Sequence, residues 1–152
     1  MATYKRFEDL KVWQESRLLN KKMFVILSGK SDKNLGFLIN HLFKTSGSIM
    51  DNIAEGFYRQ GNKEFRKFLS ISKGSAGELR SQIYRALDIE VISEQQFQEL
   101  YAHCDSISAQ LHNFIQYLNK SSMKGSKFQE PEQKYKSKQS LAEFFNKMES
   151  QL

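Results

Sequence analysis

The chain has 152 residues and a mass of 17.8 kDa, the usual size of one domain, and its 39% hydrophobic and 12% aromatic content excludes wholesale disorder. Lys and Arg number 23 against 17 Asp and Glu, so the formal charge is +6, which permits nucleic acid or an acidic partner without requiring either. A single cysteine, Cys104, excludes an internal disulfide, and a single proline, Pro131, argues for long uninterrupted helices over a turn-rich β fold.

The longest purely apolar run, Met23 to Leu27, falls far short of the ~20 residues needed to span a bilayer. The start, Met1-Ala-Thr-Tyr-Lys-Arg6, lacks the apolar stretch of a secretory signal. A soluble, cytoplasmic protein with no membrane partner is expected.

In chain order, Asp9 is placed to cap a first helix that runs to about Ser28 and ends in the turn-forming loop Gly29 to Asn34. From Leu35, apolar residues at 38, 39, 42, 43, 49, 50 and 53 keep a helical period, with Ser46 in the same stripe, until the segment Gly56 to Gly61 breaks it. Asn62 is placed to cap a third helix over about 62–88, whose stripe is Phe65, Phe68, Leu69, Ala76, Leu79, Ile83 and Leu87. Ser93 and Gln96 have the spacing of a capping box, and Phe97, Leu100, Tyr101, Cys104, Ile107, Leu111, Ile115 and Leu118 carry the fourth helix to about Asn119.

Four amphipathic helices with short connections predict an all-α fold, an antiparallel up-down-up-down four-helix bundle over residues 5–119. Residues 120–139 read as a flexible Lys-rich linker. Residues 140–152 read as a short docking helix or disordered tail, with Leu141, Phe144, Phe145 and Met148 on one face behind the capping-box pair Ser140 and Glu143.

Helix one shows a second apolar strip, Leu10, Leu18 and Val25, opposite Val12, Leu19, Met23 and Leu27. Helix two carries Asn40, Thr45, Gly47, Ser48 and Asn52, small and weakly charged, on the side away from its stripe. These faces predict a homo-oligomer with Leu10, Leu18, Val25, Gly47, Ser48 and Asn52 between copies; a monomer with an apolar groove is the alternative. Gly74 and Gly77 flank Ser75 and Ala76 in a low-relief patch suited to the close approach of another helix.

No catalytic constellation is found. Gly29-Lys30-Ser31 ends like a phosphate-binding loop, but the motif needs glycine where Phe24 stands. Lys73-Gly-Ser75-Ala-Gly77 resembles a nucleophile elbow but lacks its first glycine and falls within a helix. His41, His103 and His112 have no ligand spacing. The chain is therefore read as a non-enzyme with no metal and no cofactor.

Charge, by contrast, is segregated. Lys63, Arg66, Lys67, Lys73, Arg80 and Arg85 fall within roughly 140° of helix three, opposite its apolar stripe, at 100° per residue. Helix four carries Glu94, Glu99 and Asp105 and, up to Asn119, no Lys or Arg. Lys44, Arg59 and the Lys-rich linker extend the basic set. No interleaved base-stacking aromatics stand out in the spacing, so the expected contact with RNA or DNA is through phosphates and weakly sequence-specific.

Phe7-Glu-Asp-Leu10 with Val12-Trp13-Gln14, Asn52-Ile-Ala-Glu-Gly56, Lys63-Glu64-Phe65 with Phe68-Leu69, Gly74-Ser75 and Glu78-Leu79 together resemble the proteins encoded in intervening sequences of bacterial 23S ribosomal RNA genes. The resemblance covers about residues 5–119. It implies a four-helix bundle similar in fold to the accessory protein of diversity-generating retroelements, a ring-shaped homopentamer and a basic surface facing nucleic acid. It also implies the alternative of an oligomeric scaffold for a partner protein such as a reverse transcriptase. Where the family has Gln-Leu-Arg-Arg in helix two, this chain reads His41-Leu42-Phe43-Lys44, leaving Lys44 as the one cation. Asn52 and Glu55 fit the family pattern and are expected to be structural polar groups at the end of helix two, Glu55 accepting from backbone amides or pairing with Arg59.

Overall fold

Helical periodicity dictates four long elements, and a computed structural model of residues 4–30 and 32–120 contains them: α1 (Lys11–Leu27), α2 (Gly36–Tyr58), α3 (Gly61–Asp88) and α4 (Glu94–Lys120), preceded by a 3₁₀ turn at Phe7–Asp9. The distal part of the Lys-rich linker and the Phe144–Phe145 segment lie outside the described residues. Successive helices run antiparallel. Asn20 meets Ser46 and Phe24 meets Phe43 between α1 and α2; Thr45 meets Gln82 and Ser48 meets Ser75 between α2 and α3; Arg80 meets Asp105 and Lys73 meets His112 between α3 and α4.

The helix ends follow local chemistry, with corrections. Asp9 does not cap α1: it pairs with Arg6 at 3.1 Å inside the 3₁₀ turn, and Leu10, fully buried, occupies the position before the helix. Phe7 instead fastens this strap, edge-on to Trp13 at 4.9 Å and to Tyr58 at 5.9 Å. Helix α2 runs through Gly56 to Tyr58, so only Arg59 and Gln60 separate it from α3. That two-residue reversal relies on Gly61, whose φ of +86° is readily adopted only without a side chain. Gln60, not Asn62, precedes α3. The α3–α4 turn closes on a Schellman pattern, with the amide of Val91 on the carbonyl of Ala86 at 2.9 Å and that of Glu90 on Leu87 at 3.0 Å. The expected capping box of α4 forms reciprocally, the Gln96 amide donating to Ser93 Oγ at 3.1 Å and the Ser93 amide to Gln96 Oε1 at 2.9 Å.

The α2–α3 seam is narrow and studded with small polar groups. Ser72 Oγ donates to the Ile49 carbonyl at 2.6 Å, Gln82 Nε2 to Thr45 Oγ1 at 3.0 Å, and the hydroxyls of Ser48 and Ser75 lie 3.1 Å apart. Gly56 sits hard against α3, because a Cβ there would lie 2.5 Å from Phe68 Cβ and 3.0 Å from a ring carbon of Phe65. Gly56 thus ends no helix; it admits one. Around this seam Phe65, Leu69, Leu79, Ile83, Leu100, Ile107, Leu111 and Phe114 are buried in one core, with Phe65 edge-on to Phe114 at 5.3 Å. Cys104 lies in it too, its thiol pushed up to about 12 by burial.

Between α1 and α4 the interior turns polar. Glu15 of α1 accepts from His103 Nε2 of α4 at 3.1 Å and from Lys11 at 2.9 Å, with both the Glu15 and His103 side chains about nine-tenths buried. The hydrogen bond from His103, aided by Lys11, holds the Glu15 carboxyl down near 2. Burial pulls the His103 imidazole below 6.5 despite Glu15, and the nearby charge of Lys22 adds to this. The imidazole is therefore neutral near pH 7, with its proton on Nε2 and the buried Nδ1 left without a partner.

Two expectations follow from these contacts. Gly56→Ala should lose about 1–3 kcal/mol by overpacking, whereas Gly74→Ala, where an added Cβ meets nothing within 4 Å, should gain about 1 kcal/mol; urea denaturation of the two variants measures both. For pH, a folded-state value below the unfolded one means stability is present above the unfolded value and lost on acidification. The His103 contribution should therefore fall away as pH drops below 6.5, and that of Glu15 as pH drops below 4.5 toward 2. Urea midpoints measured between pH 7.5 and pH 5 should decline, and His103→Gln should flatten that decline.

Candidate nucleic-acid interface

Inward packing of Phe65, Leu69, Ser72, Ala76, Leu79, Ile83 and Ala86 leaves the cations of α3 only its edges and outer face. Arg66, Lys73 and Arg80, seven residues apart, line the edge beside α4 at intervals of about 10 Å along the helix. Arg66 donates to Asn119 Oδ1, Lys73 Nζ to His112 Nδ1 at 3.3 Å, and Arg80 to Asp105 at 2.7 Å. The Arg80 guanidinium also lies 5.5 Å from the centroid of the Tyr101 ring. Farther out on α3, Lys63, Lys67 and Arg85 are exposed, and none forms an ion pair among the described residues.

Six of the predicted cations thus share one side of α3, and the other two stand apart. Lys44 is exposed on α2. Arg59 follows α2 and pairs with Glu55 at 2.5 Å, a bond that raises the Arg59 pKa, while its guanidinium lies over the Phe68 ring at 5.2 Å. Glu55 therefore uses Arg59, not backbone amides. Asn52 does not hold the helix end: its Nδ2 donates to the Ser48 carbonyl at 2.8 Å and to Ser48 Oγ at 3.0 Å, one turn back, which links it to Ser75 of α3. In the string His41 to Lys44, His41 faces Glu78 of α3 at 3.5 Å, Leu42 is buried, Phe43 meets Phe24, and only Lys44 offers a cation to solvent.

The residues expected between copies sit differently from the periodicity-based picture. Leu10 and Leu18 are buried within the single chain, because α1 packs against both α2 and α4 and needs apolar side chains on both sides. Ser48 and Asn52 belong to the α2–α3 seam, and a Cβ on Gly47 would lie 3.8 Å from Asn20 of α1. Val25 is half-buried. At Gly74 and Gly77 an added Cβ would meet nothing within 4 Å among the described residues, so no described helix covers that low-relief patch. Exposed apolar surface lies elsewhere, at Phe24, Phe37 and Phe43, with the rings of Phe24 and Phe43 5.8 Å apart across α1 and α2.

An aromatic cluster at the α3–α4 edge went unread in the spacing. The ring of Tyr84 stands 4.8 Å from Phe97 and 5.9 Å from Tyr101, with 48% of the residue exposed. Its signal was present: a tyrosine off the apolar stripe, four residues after Arg80 and one before Arg85. Among the described residues no three His, Cys, Asp or Glu side chains gather as a metal site, and no helix is long and apolar enough to cross a membrane.

No curated protein matches the chain. A crystal structure of a protein of unknown function from the S23 ribosomal protein family of Bacteroides thetaiotaomicron is similar to it, with a TM-score of 0.57 and 21% identity over 68% of this chain and 97% of that one. That likeness is one of fold. The model of the 23S rRNA-intervening sequence protein family matches residues 8–113, which take in α1, α2, α3 and most of α4. The chain therefore belongs to the 23S rRNA-intervening sequence protein family.

Proposed function

We propose that this protein is a non-enzymatic, homo-oligomeric nucleic-acid-binding protein that holds RNA by its phosphates with weak sequence preference. The observation that carries the reading is the side of α3 on which six cations gather while its acidic partners are few. Of the six, Arg80 is matched by Asp105, whereas Lys63, Lys67 and Arg85 stand exposed without ion pairs among the described residues. Such a surface binds by releasing counterions, and repetition across copies multiplies the field. The exposed pair Phe24–Phe43, with Phe37 nearby in sequence, supports association through the outer edge of α1 and α2. The same patch is what favours the second reading, an oligomeric scaffold for a protein partner such as a reverse transcriptase.

Gel-shift titration of a structured RNA at about 50 and 200 mM salt tests the proposal. Binding should weaken steeply with salt, and the variant combining Lys63→Glu, Lys67→Glu and Arg85→Glu should lose most of the affinity while keeping its helical content. Light scattering on the same samples should return a multiple of 17.8 kDa. Absence of binding at the lower salt, or affinity untouched by the three reversals, would favour the scaffold.

A further inference from the structure

A cation row attracts any polyanion alike, and at its end stands an aromatic cluster. Tyr84 is held from beneath by Phe97, which is buried, and from the side by Tyr101, and these rings fix its own ring while about half the residue stays in solvent. Arg80 lies one turn before it and Arg85 immediately after, and the row Arg66, Lys73, Arg80 leads up the same edge. A pre-positioned, half-exposed ring loses little freedom when a flat apolar surface stacks on it. Base faces are such surfaces, and they are available in a single strand but hidden by stacking in a duplex. A protein partner would also accept an exposed tyrosine, but the row Arg66, Lys73 and Arg80 along the same edge favours a polyanion, even with Arg80 paired to Asp105 and with Asp88 one turn beyond Tyr84.

Building on the nucleic-acid reading above, we infer that the α3–α4 edge is a single-strand site, with phosphates following Arg66, Lys73 and Arg80 and a base stacked on Tyr84. Fluorescence anisotropy on the full chain separates the two levels of the claim, using three labelled probes of about 12 nucleotides at low salt: oligoadenylate, an abasic strand of equal length, and an RNA duplex. Oligoadenylate should bind about 5- to 150-fold more tightly than the abasic strand, the span expected for stacking a base on an aromatic ring. Tyr84→Leu, which keeps an apolar contact with Phe97 but removes the flat ring, should erase that difference; Tyr84→Phe should preserve it. Lys63→Glu with Lys67→Glu should weaken the oligoadenylate and abasic strands alike. Equal affinity of the unaltered protein for the oligoadenylate and abasic strands, or tighter binding of the duplex, overturns the stacking site while leaving phosphate binding standing. A preference for oligoadenylate that survives in Tyr84→Leu likewise overturns it. Failure to bind any probe removes the nucleic-acid reading itself, and the single-strand site with it.

Discussion

The close crossing of α2 over α3 governs which residues of this bundle reach solvent. At Gly56 the two backbones approach too closely for a side chain, and from there toward the other end of the bundle the seam is bridged by Ser48–Ser75, Ser72–Ile49 and Thr45–Gln82. Each bridge needs a short side chain, since a longer one would separate the helices and strand the opposing polar group in the core, at a cost of about 1–3 kcal/mol. The seam fixes the rotation of α3 about its axis. Once that rotation is set, Lys63, Lys67 and Arg85 face outward and Arg66, Lys73 and Arg80 fall at the α4 edge.

The α1–α4 side of the molecule works by a different balance. Here Glu15, Lys11 and Lys22 place charge in or near the interior, and burial keeps the imidazole of His103 neutral while it donates to Glu15. A buried ion pair or charged hydrogen bond is a weak source of stability but a strong source of register, because a misplaced helix leaves one charge uncompensated. The narrow, small-residue seam at α2–α3 and the charged seam at α1–α4 therefore specify the bundle from opposite sides. The strap from Phe7 to Leu10 closes the end between them, with Phe7 resting on both Trp13 and Tyr58.

Much of this was legible in the sequence, and where it was not the reason is physical. Helix number, order and antiparallel arrangement follow from apolar periodicity, and the Ser93–Gln96 capping box from a local pattern that tertiary contacts do not override. Periodicity misled where it had to decide which neighbour a face meets. Thr45, Ser48 and Asn52 look like a pale outer surface when only hydrophobic residues are counted as inward, yet in a tight crossing small polar residues are the inward ones. Leu10 and Leu18 looked surplus because one helix in a bundle is covered from two sides. Gly56 looked like a terminator because glycine is more often a breaker than a spacer. The α3 cations were found by angle alone, while Tyr84 was missed because its support comes from Phe97 and Tyr101 on another helix, and no pattern within α3 reveals that.

The proposed function requires α3 to present its cations, as one surface, to a polyanion. Lysine acetylation footprinting by mass spectrometry, with and without a bound single-stranded RNA, measures this at individual side chains. Lys63, Lys67 and Lys73 should lose reactivity on binding, while Lys21 of α1 and Lys33 of the α1–α2 loop keep theirs. Protection spread evenly over all of these lysines, or confined to those of α1 and its loop, would contradict the assignment of α3 as the binding face.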